Sequence, residues 1–381
     1  MSNDSPVPPP VAERLKHPFL TYDMICQIPE AIQGTIEKSS GRLGSIRQRV
    51  KDKSDFFFTG CGTALFSSML GSAMFSLMDG DGLHSECVQA LELGNGGRSA
   101  KNSVTFGVSH SGITKTTLDA LRRMKSMGSY TIGITHFDRS PIGREVDETL
   151  VVGNGPDKSR CHTKCYPASA LPLTMMGIEL LDERDAVKSE RRQKIRRELA
   201  GIPQLTKRVL VSTEPIMKEL AQNSAMKRTF YFAGTGPSYA NALEAALKIL
   251  ETSYVPAQGF ETEQLLHGPW VSIDSESVVF VMATEQRTYG RSMDLVRAAT
   301  SLGANVVALV HEGDREIGSI CKNTIELPSI DEQLTPYLSI IPLYFFAYYM
   351  CLRRGYNPDY LRYLTPAYWT ARNVIFPPGT H

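Results

Sequence analysis

A duplicated α/β fold is what this sequence predicts, each copy a parallel sheet with helices on both faces. Three observations predict it. "FFFTGCGTA" at 56–64 recurs as "FYFAGTGPS" at 230–238, and "SVTFGVSHSG" from Ser103 recurs as "SVVFVMATEQ" from Ser277. The two pairs share one offset, and "YTIGITHF" from Tyr130 pairs with "NVVALVHE" from Asn305 a single position further on. Within each copy, short continuous apolar runs alternate with segments of helical periodicity, the pattern of strands buried on both faces.

In chain order, the Pro-rich start reads as a disordered arm over 1–15, without the basic and apolar regions of a secretion signal. The first domain is placed at 16–200. Its strand near Phe56 ends at Gly60-Cys61-Gly62 and leads into "ALFSSMLGSAMFSLM", a good helix former. Its strand Val104–Val108 ends at Ser109, ahead of "TKTTLDALRRMKSMG", where Leu118, Leu121 and Met124 recur at helical spacing. The second domain is placed at 201–352, with a glycine turn at Gly234-Thr235-Gly236 and a helix from Pro237. "YLSIIPLYFFAYYMCL" at 337–352 is short for a membrane span and contains Ser339 and Pro342, so a buried core helix is expected. Residues 353–381 form a C-terminal tail.

Composition bounds the function. The 381 residues are 42% hydrophobic, enough for two cored domains, and 41 Lys+Arg against 40 Asp+Glu leave a net charge of +1. No general attraction to nucleic acid follows from that balance. Seven cysteines without CxxC spacing suit reduced thiols in a cytoplasm, the expected location. "CHTKC" at 161–165 has no second ligand cluster in sequence, so no metal and no cofactor are expected.

In parallel sheets ligands bind outside the carboxyl ends of strands, and the chemistry-bearing residues fall there. Ser109, Ser111 and Thr114 place three hydroxyls around Gly112 at a helix N-terminus, a pattern suited to a phosphate as well as to a plain N-cap. The second copy has "ATEQR" at that place and lacks the glycine, so one anion site per chain is expected. Gly60-x-Gly62 and Gly234-x-Gly236 lack the third glycine and acidic partner of a dinucleotide fingerprint. Glu244, Lys248 and Glu251, spaced i, i+4, i+7, share one helix stripe. Such spacing usually marks a solvated ion pair, but Ala242, Leu243, Ala246, Leu247, Leu250 and Tyr254 leave little circumference for water. A carboxylate so held is expected to have a raised pKa and to shuttle protons. His267 sits before the turn-forming Gly268-Pro269.

"CGT", "SHSGIT", "ALEAALKILETSY" and "ETEQLLHGP", in that order, together resemble the sugar isomerase (SIS) domain family. The arrangement is similar to the double-SIS isomerase half of the glutamine–fructose-6-phosphate aminotransferases, from the lead-in "HPFLTYDMICQIPEAI" onward. The resemblance implies two tandem SIS domains, each a flavodoxin-like three-layer sandwich, with the tail lying over the active site. It implies that Gly62, Thr63, Ser109, His110, Ser111 and Thr114 hold a sugar phosphate, His110 standing where the synthases have glutamine and Ala64 where they have serine. Thr163 and Lys164 resemble a stretch that starts a pocket-lining helix. Glu251 would move the proton between C1 and C2, Glu244 and Lys248 would organise it, and His267 would open the sugar ring. Because that histidine reaches the partner's pocket in the family, a homodimer is expected, without nucleic acid or membrane partners.

Two departures bear on the reaction. The chain starts at Met1 with a short arm, so no glutaminase domain is expected. The synthases' tail lysine has no counterpart after Lys322; Arg372 falls near its place, and a guanidinium forms no imine. The expected function is therefore an aldose–ketose isomerase, or deaminating isomerase, of a phosphorylated sugar or amino sugar. A fructosamine-6-phosphate deglycase is the first alternative and a non-catalytic sugar-phosphate sensor the second.

Overall fold

The computed structural model describes residues 14–78, 83–96, 100–180, 186–363 and 365–377. Most of the expected arm and the end of the tail, 378–381, lie outside them. The first sheet contains β1 (Asp55–Gly60), β2 (His84–Gln89), β3 (Ser103–Val108), β4 (Tyr130–Thr135) and β5 (Glu148–Val151), in the order β2-β1-β3-β4-β5. The second contains β6 (Thr229–Gly234), β7 (Ala257–Glu261), β8 (Ser277–Met282), β9 (Asn305–His311) and β10 (Asn323–Leu327), in the order β7-β6-β8-β9-β10. Every pairing is parallel. Both sheets thus have the flavodoxin-like 2-1-3-4-5 order, and the direction of winding reverses between β1 and β3 and between β6 and β8.

Continuous apolar strands serve two cores by their period of two. Phe56 and Phe58 of β1 face the same core as Phe230 and Phe232 of β6, whereas Phe57 and Tyr231 point to separate outer cores. The two sheets therefore share one inner core. Its repeat symmetry extends to side chains: Phe58 stacks on Phe106 at 5.1 Å between ring centroids, and Phe232, its equivalent in the second copy, stacks on Phe280 at 5.0 Å.

The helices filling the space between the sheets come from both copies. Cys165–Leu180 and Pro336–Arg353 are buried almost throughout, and Thr174 of the first hydrogen-bonds Tyr337 of the second at 2.7 Å. The apolar stretch at 337–352 is thus a core helix, and among the described residues no helix is long and apolar enough to cross a membrane. The lead-in helix Ile28–Val50 falls, when shifted by the repeat offset, on 202–224, the second half of one continuous helix, Ala186–Ser224. That helix runs through the 200/201 division without a break.

The tail is anchored by charge. Asp359, buried, accepts the backbone N–H groups of Leu20 and Thr21 at 2.8 Å each and the Thr21 hydroxyl at 2.9 Å. It thereby caps the first helix, Leu20–Cys26, which has no other side-chain cap.

Candidate active site

Two loops at the reversal point of the first sheet, and one helix of the second domain, build the site. Gly62 follows β1 at φ +56°, with open space where a Cβ would lie, and turns the chain into the helix Thr63–Ser72. After β3, the loop 109–114 folds on its own polar groups. Ser109 Oγ lies 3.0 Å from Thr114 Oγ1 and accepts the Gly112 N–H at 3.1 Å. Gly112 has φ +68°, and a Cβ there would collide with the Ser140 side chain. Thr114 occupies the N-cap of Lys115–Ser126 but makes no side-chain capping bond, so the helix keeps its first N–H groups for another acceptor.

The helix Pro237–Ser253 brings Glu244, Lys248 and Glu251 to the seam between the domains. Lys248 Nζ lies 2.7 Å from Glu251 Oε2, 3.1 Å from Thr63 Oγ1 and 3.4 Å from Glu244 Oε1. Thr63 donates to Glu244 Oε2 at 2.9 Å, and Tyr344 donates to Glu244 Oε1 at 2.9 Å. Burial pushes Glu244 up to about 7, against the pull of Lys248. Burial also opposes the Lys248 charge, but Glu244 and Glu251 outweigh it and hold the ammonium well above the usual lysine range. The side chain of Lys248 is 2% exposed and that of Glu244 is fully buried, while Glu251 is 28% exposed. Glu251 is the member of the stripe that a solute can reach.

The structure redraws several expectations. Glu244, not Glu251, is the fully enclosed carboxyl, and its enclosure raises its pKa. The apolar wall around the stripe is incomplete: Ala242 and Ala246 are buried, but Leu243 and Leu247 are half-buried and Leu250 is 45% exposed. Thr63 reaches the charged stripe. His110 turns inward, its Nε2 accepting the Asp157 N–H at 3.0 Å, and burial lowers its pKa. Lys164, also inward, donates to Gln27 and Asn154 at 3.0 Å each. The backbone N–H of Thr163 goes to Asp157 Oδ2 at 2.7 Å, and its own hydroxyl is buried without a partner among the described residues. Ser111 is half-buried, and its hydroxyl accepts the Ile113 N–H at 3.4 Å. His267 is 68% exposed and bonds the Glu263 carbonyl at 2.9 Å, apart from Glu251. Arg372 contacts Trp369, Asn373 and Phe376 of its own helix and the residue after it.

Sequence reasoning missed Tyr344 and Asp157. Tyr344 lies inside the apolar 337–352 stretch, where a tyrosine hydroxyl was itself the signal, since a buried one needs a partner. Asp157 carries the 157–164 loop by accepting from Ser159, Thr163 and Lys164. As for metals, His110, His162 and Cys165 bring donor atoms within 4.8 Å of one another. The long stretch of chain between His110 and His162 hid this cluster, and the Nε2 lone pair of His110 is already taken by Asp157.

Fold and site together define a duplicated, doubly wound α/β protein with a hydroxyl-bearing glycine loop after β3 and, on a helix of the second domain, a largely buried carboxylate–ammonium stripe. The chain belongs to the SIS-domain family, whose signature matches residues 50–182 and 225–354. It is 30% identical over 259 residues to the glutamine–fructose-6-phosphate aminotransferase [isomerizing] of Clostridium tetani, covering 68% of this chain and 42% of that protein. Across such relatives the chain spans from 38% to 58% of their length. Among solved structures, the C-terminal domain of the glucosamine-fructose-6-phosphate aminotransferase of Francisella tularensis superposes with a TM-score of 0.82 at 20% identity, over 91% of this chain and 99% of that one. The glucosamine-6-phosphate deaminase of Thermotoga maritima gives 0.71 at 20% identity, over 90% and 97%.

Proposed function

We propose that the protein is an aldose–ketose isomerase of a phosphorylated sugar or amino sugar, with Glu251 as the base that carries a proton between C1 and C2. The observation that carries this reading is the graded exposure of the stripe. Lys248 is locked in the interior with its charge on, and it holds the one carboxylate that solvent and substrate can reach. The phosphate would sit on the free N–H groups and hydroxyls of the 109–114 loop, with Gly62 giving backbone access opposite. The names of the sequence relatives, isomerizing aminotransferases, support a sugar-phosphate substrate.

His267 would serve the site of a second copy as the ring-opening acid–base group. Its exposure supports that, together with exposed Trp270 and Val271 just after it in sequence, apolar surface that a homodimer would cover. Cleavage of a fructosamine 6-phosphate is the second reading. Such a substrate brings its own nitrogen, and Arg372, occupied with its own helix, offers no imine-forming amine.

Glu251→Gln keeps shape and reach but accepts no proton. Turnover should fall about 10²–10⁴-fold, the usual worth of general acid–base catalysis, with sugar-phosphate binding intact. Near-full turnover of a substrate that the parent protein converts would remove Glu251 from the chemistry. Product mass separates the readings: an isomer supports the first, a released amine the second, and binding without conversion across a panel of hexose, hexosamine and fructosamine phosphates a sensor.

A further inference from the structure

Tyr344 lies in the interior on the helix Pro336–Arg353, with 1% of its surface exposed. A buried phenol needs a hydrogen-bond partner, and the choice of partner is informative. Two turns earlier on the same helix, Tyr337 takes a neutral one, the Thr174 hydroxyl at 2.7 Å. Tyr344 instead donates at 2.9 Å to Glu244 Oε1, the oxygen that lies 3.4 Å from Lys248 Nζ. Lys248 Nζ in turn lies 2.7 Å from Glu251 Oε2. An unbroken line of contacts thus runs from the phenol to the carboxylate proposed as the base.

The direction of the first bond sets the charge of the next group. Burial and the neighbouring Glu244 hold the Tyr344 phenol well above its usual range, so it is a donor at every working pH. A donor favours the ionised form of a carboxyl. Thr63, at the start of the helix Thr63–Ser72, donates to the other oxygen, Oε2, at 2.9 Å. Burial works against these donors and the Lys248 charge, and it pushes Glu244 up to about 7. The other titratable groups around Glu244 are Glu251 on its own helix, Tyr166 and Cys165 on Cys165–Leu180, and Cys161 in the loop before that helix. Burial keeps Tyr166, Cys161 and Cys165 protonated. So balanced, Glu244 becomes an acid at neutral pH when one donor is lost. An uncharged Glu244 leaves the Lys248 charge to Glu251 alone, and a carboxylate in a tighter ion pair takes up a proton less readily.

We infer that Tyr344 is a positioning residue for the proposed reaction, on which this role rests. Its hydrogen bond keeps Glu244 a carboxylate, divides the Lys248 charge between Glu244 and Glu251, and so leaves Glu251 basic. Being enclosed, Tyr344 acts only through Glu244 and Lys248.

Tyr344→Phe removes the hydroxyl and keeps the ring. The infrared C=O band of protonated Glu244, identified by its loss in Glu244→Gln, should be half-developed at about pH 7 in the parent. In Tyr344→Phe that midpoint should lie about one pH unit higher, a hydrogen bond to a charged group being worth about tenfold or more. Tyr337→Phe, which removes an equally buried phenol, should leave the midpoint in place. Turnover on the panel of hexose, hexosamine and fructosamine phosphates should fall about fivefold at pH 7 in Tyr344→Phe and recover by about pH 9, with KM unchanged. A packing defect would lower turnover alike at every pH. An unmoved midpoint, or an equal shift in Tyr337→Phe, would overturn the role of the phenol whatever the reaction. A shifted midpoint with a parent-like pH profile of turnover would overturn the link to Glu251. A parent inert toward the whole panel would overturn the isomerase reading, and the band midpoint would still decide whether Tyr344 keeps Glu244 ionised.

Discussion

Replacing Lys248 by methionine keeps the apolar stem and removes the ammonium from between two carboxylates. The charge sits 3.4 Å from Glu244 Oε1, both groups buried, where an effective dielectric constant of about 20 gives an attraction of roughly 5 kcal/mol. Glu251, 28% exposed, is rescued by water, so Glu244 bears most of the loss. Breaking one partner of a buried pair commonly costs about 3–5 kcal/mol, the expected destabilisation at pH 8. The pH dependence identifies the cause. Glu244 is already pushed up to about 7 beside Lys248, and it rises further without it. An acid whose folded pKa is raised contributes stability that is present below its unfolded value and lost as pH climbs to the folded one. Between pH 7 and the new, higher value the variant keeps losing about 1.4 kcal/mol per unit while the parent no longer does. Urea unfolding followed by circular dichroism at pH 7.0 and 8.5 should show the gap widen by about 2 kcal/mol. Adding Glu244→Gln should recover most of it. A loss that is the same at both pH values and unrelieved in the double variant would mean that stem packing, not charge, accounts for the position.

Three further outcomes are expected. Ser111→Ala combined with Thr114→Ala removes two hydroxyls from the 109–114 loop and should weaken sugar-phosphate binding at least about tenfold by calorimetry, each charge-assisted hydrogen bond being worth about 1.5–3 kcal/mol; unchanged affinity would move the anion elsewhere. Mixing Glu251→Gln chains with His267→Ala chains should restore part of the activity that each lacks, and a dead mixture with proven subunit exchange would refute a site shared across a dimer. Burial, with a smaller push from Glu332, raises Glu285 from 4.5 to about 8, so ligand-free stability should fall between those values as pH rises, by up to about 1.4 kcal/mol per unit. Glu285→Gln should flatten that part of the denaturation profile, and an unchanged slope would place the titration in another group.

What the sequence determined by itself was periodic and local. The internal repeat, the double-apolar strands and the glycine turns after β1 and β6 specify two parallel sheets, because alternation and turn chemistry act over a few residues. Helical geometry likewise put Glu244, Lys248 and Glu251 on one stripe before any contact was known. The tertiary structure decided which groups are enclosed and what they touch. Thr63 and Tyr344 both meet Glu244 from far along the chain, so the burial that shifts Glu244 is set by elements from both domains. His110 turned to Asp157, Arg372 stayed on its own helix, and Leu250 was left uncovered for the same reason. Solvation and charge pairing depend on every element packed around a residue, and spacing along one chain segment carries only its own face.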